Sequence, residues 1–428
     1  MARLMQSKMP TMGTHQQTVV TSRRERPIRA RAFSPARLER MRSIMRRQVD
    51  SGRMPGLVTL VSRRGEEHVD AIGAFAFGGG TPMRRDTIFR LASMTKPVTA
   101  VATMILVEEC RLRLDDPVDD WLPELKDRKV LRTPGSPLDD TVPASRSITV
   151  RDLLTFRSGY GEVFFSVPGS PIHQALIEAR LPLASWPFAG TPDELMQRLG
   201  ALPLVCQPGE RWLYHMSGEI LGVLIARVTG KSLGAFLRER IFEPLAMKDT
   251  DFSVPESKLD RLPPCYGVDP STGKTVVLDE ARGGTFSHPW AFEGGAGGLV
   301  STVDDMLALG KMMLNRGAHG GERILSHTSV DVMTTDQLTA EQKAASPFFP
   351  NFWDTYGWGL GLGVVARRQD IGRSVGSFGW DGAFGTSWHV DPREEMIGIV
   401  MSQRRPEIPV LPTVVTDFWT AAYQAFED

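Results

Sequence analysis

Hydrophobic and polar positions change period several times along the chain, and each change predicts an element. After Ser34, a residue type suited to a helix N-cap, apolar residues fall at Leu38, Met41, Ile44, Met45 and Val49, the spacing of an amphipathic helix. A strand is predicted over Gly56–Ser62, then a turn at Gly65-Glu66 and a second short strand near Val69–Phe75. Thr87–Leu91 reads as extended. Ser93 then opens an apolar helical stretch through Val98, Val101, Ile105 and Leu106, with Pro97 in the first turn, where its missing N–H costs little. From about 113 to 285, helical patterns at 150–157, 193–201, 217–228 and 234–241 alternate with proline-containing loops, and a hairpin is predicted around Tyr266–Val277. After Gly294-Gly295-Ala296-Gly297-Gly298 come a helix at 302–314, strands at Gly357–Val365, Gly385–Val390 and Met396–Ser402, and a last helix at about 412–426. Strands at both ends with helices between them predict one α/β domain built from 33–112 and 286–428, with a mainly helical domain, 113–285, inserted in it.

Composition narrows the function classes. The chain has 428 residues, 41% hydrophobic and 23% charged, so a full core is possible and global disorder is excluded. Fifty Lys+Arg balance 50 Asp+Glu, so no global field draws nucleic acid or an anionic membrane. Cys110, Cys206 and Cys265 are the only cysteines and show no C-x-x-C spacing, which excludes a disulfide framework or zinc finger and favours a reducing compartment. No apolar run reaches the roughly 18 to 20 residues of a membrane span. Residues 1–32 are rich in Met, Gln and Arg. Ser22-Arg23-Arg24 hints at a twin-arginine signal, but Glu25-Arg26-Pro27 follows where an apolar stretch is needed. This segment is read as a solvated, disordered basic tail, and a cytoplasmic location is expected.

Ser93-Met94-Thr95-Lys96 is the motif that carries chemistry. At i and i+3 both side chains lie on one helix face. A serine hydroxyl is a poor nucleophile until a base takes its proton, and a lysine can be that base if burial makes it partly neutral. The helix N-terminus adds positive potential where an oxyanion forms. The spacing recurs by chance in Ser271-Thr272-Gly273-Lys274, but there it follows Asp269-Pro270 and reads as a turn. Two Gly-x-Ser-x-Gly pentapeptides, around Ser232 and Ser374, lack the strand-before, helix-after context of a nucleophile elbow. Ser232 reads instead as an N-cap after the helix-ending Gly230. No histidine pair shows a metal-binding spacing, and no cofactor is implied.

The run Phe89-Arg90-Leu91-Ala92-Ser93-Met94-Thr95-Lys96-Pro97 resembles the serine β-lactamase and penicillin-binding-protein superfamily, most closely the class C-like carboxylesterases of family VIII. The similarity continues through Leu114-Asp115-Asp116-Pro117-Val118, Asp152-Leu153-Leu154, Pro208-Gly209-Glu210-Arg211-Trp212-Leu213-Tyr214, Gly297-Gly298-Leu299-Val300-Ser301 and Phe378-Gly379-Trp380-Asp381-Gly382-Ala383-Phe384-Gly385-Thr386. The resemblance implies an antiparallel sheet flanked by helices, with the site in the cleft against the helical insertion. It implies Ser93 as the acylated nucleophile, Lys96 as its base-side partner and Tyr214 as the proton-transfer tyrosine. It implies an oxyanion hole from the backbone N–H groups of Ser93 and Ala383. Met216, Trp380, Asp381 and Gly382 would border the substrate.

Two departures bear on substrate. Met216 stands where the family carries asparagine, and a thioether cannot donate to an acylamide. Trp380-Asp381-Gly382 stands where β-lactamases carry Lys-Thr-Gly, so no cation there meets a substrate carboxylate. Both changes suit a neutral, short-chain ester as the small-molecule partner. The alternatives are a β-lactamase or D-amino peptidase, an acyltransferase, and a catalytically dead binding protein on the same scaffold. His215 has no necessary role in the lysine–tyrosine scheme and is read as packed or exposed. Trp186, Trp290, Trp353 and Trp358 are candidates for an apolar pocket wall or for core.

Overall fold

Backbone pairing joins the two ends of the chain in one antiparallel sheet. The computed structural model describes residues 31–161, 167–182, 188–406 and 413–427. Strands β1 (Gly56–Arg63) and β2 (Glu66–Gly73) form a hairpin whose loop residues Arg64 and Gly65 both have positive φ, 50° and 84°, the two-residue turn that matches strand twist. Strands β3 (Tyr356–Trp358), β4 (Gly363–Val365), β5 (Phe378–Gly382), β6 (Thr386–Asp391) and β7 (Met396–Ser402) come from the C-terminal part. The order is β3-β4-β5-β6-β7-β1-β2, with β1 joined to β7 from Leu57↔Ser402 to Arg63↔Met396. The fold is mixed α/β with an antiparallel sheet, as the resemblance implies.

Both faces of this sheet are covered, so its central strands are buried throughout and read as near-continuous apolar runs. The main helices are α1 (Pro35–Asp50), α2 (Thr95–Glu108), α3 (Met216–Thr229), α4 (Val303–Leu314) and α5 (Thr413–Gln424). The period of two sorts side chains between two cores. Leu57, Val61, Met396 and Val400 pack with Met41, Met45, Phe418 and Trp419 of α1 and α5. Val58, Leu60, Ile397, Ile399 and Met401 join the larger core with Val98, Val101 and Ile105 of α2 and with Met306 and Met312 of α4. Gly398 sits where a Cβ would lie 2.6 Å from the Trp419 ring, so only glycine lets α5 approach.

Several sequence expectations need correction. Gly357–Val365 is two strands, not one: the chain reverses at Gly361 (φ 75°), where a Cβ would lie 2.5 Å from Ala100 of α2. The Phe378–Gly382 motif is itself a central strand. Segment 113–285 holds a second hairpin, Lys129–Leu131 with Thr141–Pro143, too short for a period-2 signal. Ala32, assigned to the basic tail, is buried, and its carbonyl accepts from Arg63 Nη1 at 3.1 Å. The rest of the tail, up to position 30, lies outside the described residues. Among the described residues no single helix is long and apolar enough to cross a membrane.

A buried arginine anchors the strand that leads into the Ser-x-x-Lys motif. Arg90, fully buried, donates from Nε to Asp279 Oδ2 at 2.8 Å, from Nη1 to Pro263 O at 2.7 Å and to Gln403 Oε1 at 2.8 Å, and from Nη2 to Glu280 O at 3.2 Å. Removing one partner of such a pair strands the other charge in the interior, at about 3–5 kcal/mol. Arg90→Ala is therefore expected to lower the unfolding free energy by about that amount in urea titrations.

Candidate active site

The motif begins at a forced turn. Leu91 N–H donates to Leu299 O at 2.8 Å, and Ala92 follows with φ 48°, a left-handed conformation uncommon for a residue with a Cβ. The chain then enters a 3₁₀ turn, Ala92–Met94, that runs into α2. Ser93 thus sits in the turn that opens the helix, Lys96 is the second residue of α2, and Pro97 is the third. Leu91 O accepts from Met94 N–H at 3.3 Å and from Thr386 Oγ1 at 3.1 Å. The end of β5 presses on the same carbonyl: a Cβ at Gly382 would lie 2.1 Å from Leu91 O, so glycine is required there. Ala383 follows directly and packs against the small cluster of Ala92, Cys265 and Phe384.

Lys96 is only 2% exposed, yet its amino group is surrounded by acceptors. Nζ lies 2.8 Å from Ser93 Oγ, 2.8 Å from Ala296 O and 3.4 Å from His215 Nδ1. It also stands over the Tyr214 ring, 4.5 Å from the centroid, a cation–π arrangement. Ala296 reaches Lys96 because glycines let its loop touch α3: Cβ atoms at Gly295 and Gly218 would lie 2.5 Å from Gly218 O and 2.9 Å from Ala296 Cβ. The Gly294–Gly298 run therefore serves close backbone approach. Thr99 Oγ1 donates to Gly295 O at 2.7 Å and fastens the loop to α2.

Tyr214 stands in a wall of rings. Its neighbours include Phe348 and Trp212, with centroids at 5.2 and 5.5 Å, and Trp380 at 5.9 Å. Trp380 Nε1 donates to Tyr214 Oη at 2.7 Å. The indole thus places an N–H donor on the tyrosine oxygen and brings no charge.

The beta-lactamase family model matches residues 41–413. The chain belongs to the beta-lactamase family. It is 40% identical to an uncharacterized protein of Mycobacterium tuberculosis over 374 residues, 86% of this chain and 90% of that one. It is 32% identical over 356 residues to Esterase EstB of Burkholderia gladioli, covering 79% of this chain and 83% of the esterase. Among solved structures, EstCE1, described as a hydrolase with promiscuous acyltransferase activity, superposes with a TM-score of 0.73 over 91% of this chain and 98% of its own, at 23% identity. Together with the fold, these relatives identify a serine hydrolase of the β-lactamase and penicillin-binding-protein type.

Ser93, Lys96, Tyr214 and Trp380 are joined by contacts from each to the next, and Gly382 closes on Leu91 just before the Ser93 turn. Asp381 does not join them. As the next residue along β5 it points to the opposite face, where Ser387 Oγ donates to it at 2.5 Å and His389 Nε2 lies 3.0 Å away. Met216 is 1% exposed and packs in the larger core as the first residue of α3. His215, read as packed or exposed without a role, is buried against Lys96. The signal for it was the i, i+4 spacing to Glu219, whose Oε1 is 3.2 Å from His215 Nε2. Trp353 joins the aromatic wall and Trp358 is fully buried behind it, whereas Trp290 lies against His288. Trp186 lies outside the described residues. Ser271 is exposed in the β-turn between Cys265–Val268 and Thr275–Asp279, Ser232 caps Leu233–Leu237, and Ser374 is buried in the loop before β5, its N–H on Asp391.

Two predictions follow from this geometry. Trp380→Phe keeps a ring but removes the donor to Tyr214 Oη, a bond worth about 0.5–1.5 kcal/mol, so turnover of an ester substrate should fall roughly three- to ten-fold with little change in Tm. The second concerns acid. Burial, with Arg373 beside it, lowers His389 to about 4 against the pull of Asp381. Burial alone would raise Asp381, but His389, Arg373 and Ser387 hold it at about 2. Both folded-state values lie below the unfolded ones, so both groups stabilise the fold at neutral pH. His389's contribution is complete above about 6.5 and is lost as pH falls towards 4, on the order of 3 kcal/mol. Asp381's is lost only as pH falls from about 3.8 towards 2. Tm should be flat near neutrality and drop below pH 6.5, with a shallower drop in His389→Asn.

Proposed function

We propose that this chain is a serine carboxylesterase that hydrolyses neutral esters with short acyl chains through an acyl-enzyme on Ser93. The contact that carries the reading is the 2.8 Å approach of Lys96 Nζ to Ser93 Oγ with both groups buried. The Ser93 hydroxyl proton passes to the Lys96 amine as Oγ attacks the ester carbonyl carbon. The carbonyl electron pair moves onto oxygen, where the Ser93 and Ala383 N–H groups and the start of α2 stabilise it. Collapse expels the alkoxide, which takes a proton delivered through the Lys96–Tyr214 pair and leaves as the alcohol. Water then attacks the acyl-enzyme, gives its proton to the same pair, and releases the acid and the free Ser93 hydroxyl. General acid–base help of this kind contributes about 10²–10⁴-fold.

Substrate choice rests on what surrounds that chemistry. Trp380 offers an N–H already directed at Tyr214 and no cation for a carboxylate. Trp212, Phe348, Phe352 and Trp353 supply an apolar flank, which suits a neutral acyl group. A β-lactam brings a carboxylate, and each charge-assisted bond it fails to make costs roughly 1.5–3 kcal/mol, one to two decades in binding.

The test uses purified protein. A fluorophosphonate should label Ser93, and Ser93→Ala should lose ester hydrolysis, whereas Ser232→Ala, Ser271→Ala and Ser374→Ala should keep most of it. Short p-nitrophenyl esters should turn over at least ten times more efficiently than penicillins, and Trp380→Lys should narrow that ratio. Penicillin turnover equal to that of short esters, or an unlabelled Ser93, would sink the proposal.

A further inference from the structure

Beyond Ser93, Lys96 and Tyr214, the interior beside Lys96 holds a buried histidine and a buried carboxylate. His215 is 2% exposed and Glu219 is 3% exposed. They lie at i and i+4 where the chain enters α3. His215 Nδ1 faces Lys96 Nζ at 3.4 Å, and Nε2 faces Glu219 Oε1 at 3.2 Å, close enough for attraction but off the line of a full hydrogen bond. The other carboxylate oxygen of Glu219 accepts from Ala296 N–H at 3.3 Å, and Ala296 O is the second acceptor on Lys96. Glu219 thus reaches Lys96 by two routes, through the imidazole and through the glycine-rich loop. His215 is held at φ 78° and ψ −64°, a conformation costly for a residue with a Cβ. Such strain persists only where surrounding contacts impose it, and here it turns the ring towards Lys96.

The geometry has a specific consequence for a neutral amine. It has two N–H bonds and one lone pair in a tetrahedral arrangement. If Ala296 O and His215 Nδ1 take the two N–H bonds, the lone pair is left facing the Ser93 hydroxyl. Without the imidazole acceptor the amine can rotate a hydrogen towards Ser93, where it cannot act as a base. We propose that Glu219 and His215 form a positioning relay for Lys96, in which neutral His215 accepts a Lys96 N–H at Nδ1, directs its Nε2–H at Glu219, and so aims the Lys96 lone pair at Ser93. Once Lys96 has taken the Ser93 proton, its three N–H groups have three acceptors ready in Ser93 Oγ, Ala296 O and His215 Nδ1. The neutral form suits the ring's surroundings, since burial and the Lys96 charge lower the His215 pKa against the opposing pull of Glu219. The titratable groups that face Lys96 include Ser93 from the opening turn and Tyr214 and His215 from the entry to α3, with Glu219 behind His215.

This inference rests on the acyl-enzyme reading, and the experiment separates the two. Pre-steady-state acylation by p-nitrophenyl acetate is followed in the full-length wild type and in His215→Ala, His215→Asn and Glu219→Gln, alongside fluorophosphonate labelling and thermal melting. His215→Ala should acylate roughly ten- to hundred-fold more slowly with KM changed by less than about twofold, the loss typical of a group that orients a reacting one. His215→Asn should recover part of that rate, because its amide oxygen can accept from Lys96. Glu219→Gln should shift the acid limb of kcat/KM to lower pH, since removing a nearby carboxylate makes the Lys96 ammonium easier to deprotonate. Wild-type acylation in His215→Ala, or an asparagine variant no better than alanine, overturns the relay while leaving ester hydrolysis intact. A wild-type protein that neither labels at Ser93 nor shows a burst overturns both.

Discussion

An amino group taken out of water must be met on every side, and the region around Lys96 is organised by that requirement. Burying an ammonium without partners is prohibitive, and burying a neutral amine still demands acceptors for its N–H bonds. Its contacts come from three separate stretches of chain: the Ser93 turn, the Tyr214 ring with the adjacent His215 imidazole, and the Ala296 carbonyl. Each stretch carries a local feature that bulkier or freer backbone would not allow. Ala92 and His215 hold positive φ, and Gly218, Gly295 and Gly382 make contacts that a Cβ would block.

The sheet makes those local features affordable. β5 is fixed between β4 and β6, so Gly382 arrives at the Ser93 turn, and Trp380 at Tyr214, from a rigid element. α2 is apolar nearly all round because it is buried on all sides, which holds its first turn still. Arg90 ties the strand before the turn to Asp279, Gln403 and the carbonyls of Pro263 and Glu280. Strain at Ala92 and His215 can be stored because so much surrounding structure over-determines them.

Trp380 puts an uncharged ring with a single N–H donor beside Tyr214. The indole donates to Tyr214 Oη and adds apolar surface to the wall formed with Trp212, Phe352 and Trp358. Asp381, which a sequence view sets beside it, belongs to another environment altogether. It faces α5 with His389, Ser387 and Arg373, and there it governs acid stability rather than substrate charge.

What the amino-acid order determined by itself was local and ordered information: the long helices and several strands by their period, the turn chemistry that set Ser271 apart, and the capping pattern that set Ser232 apart. The ordered run of motifs from Phe89 to Thr386 carried the fold class, and it singled out Ser93, Lys96 and Tyr214, which lie in contact in the structure. Strand alternation could have sorted Trp380 from Asp381, had the motif been read as a strand. Tertiary structure alone decided what touches Lys96. His215 and Ala296 are 119 and 200 residues away from it along the chain, and their approach depends on where α3 crosses the glycine-rich loop. A periodicity reports which face of an element is buried; it does not report which distant backbone carbonyl or imidazole will share that burial, because that is set by the packing of whole elements against each other.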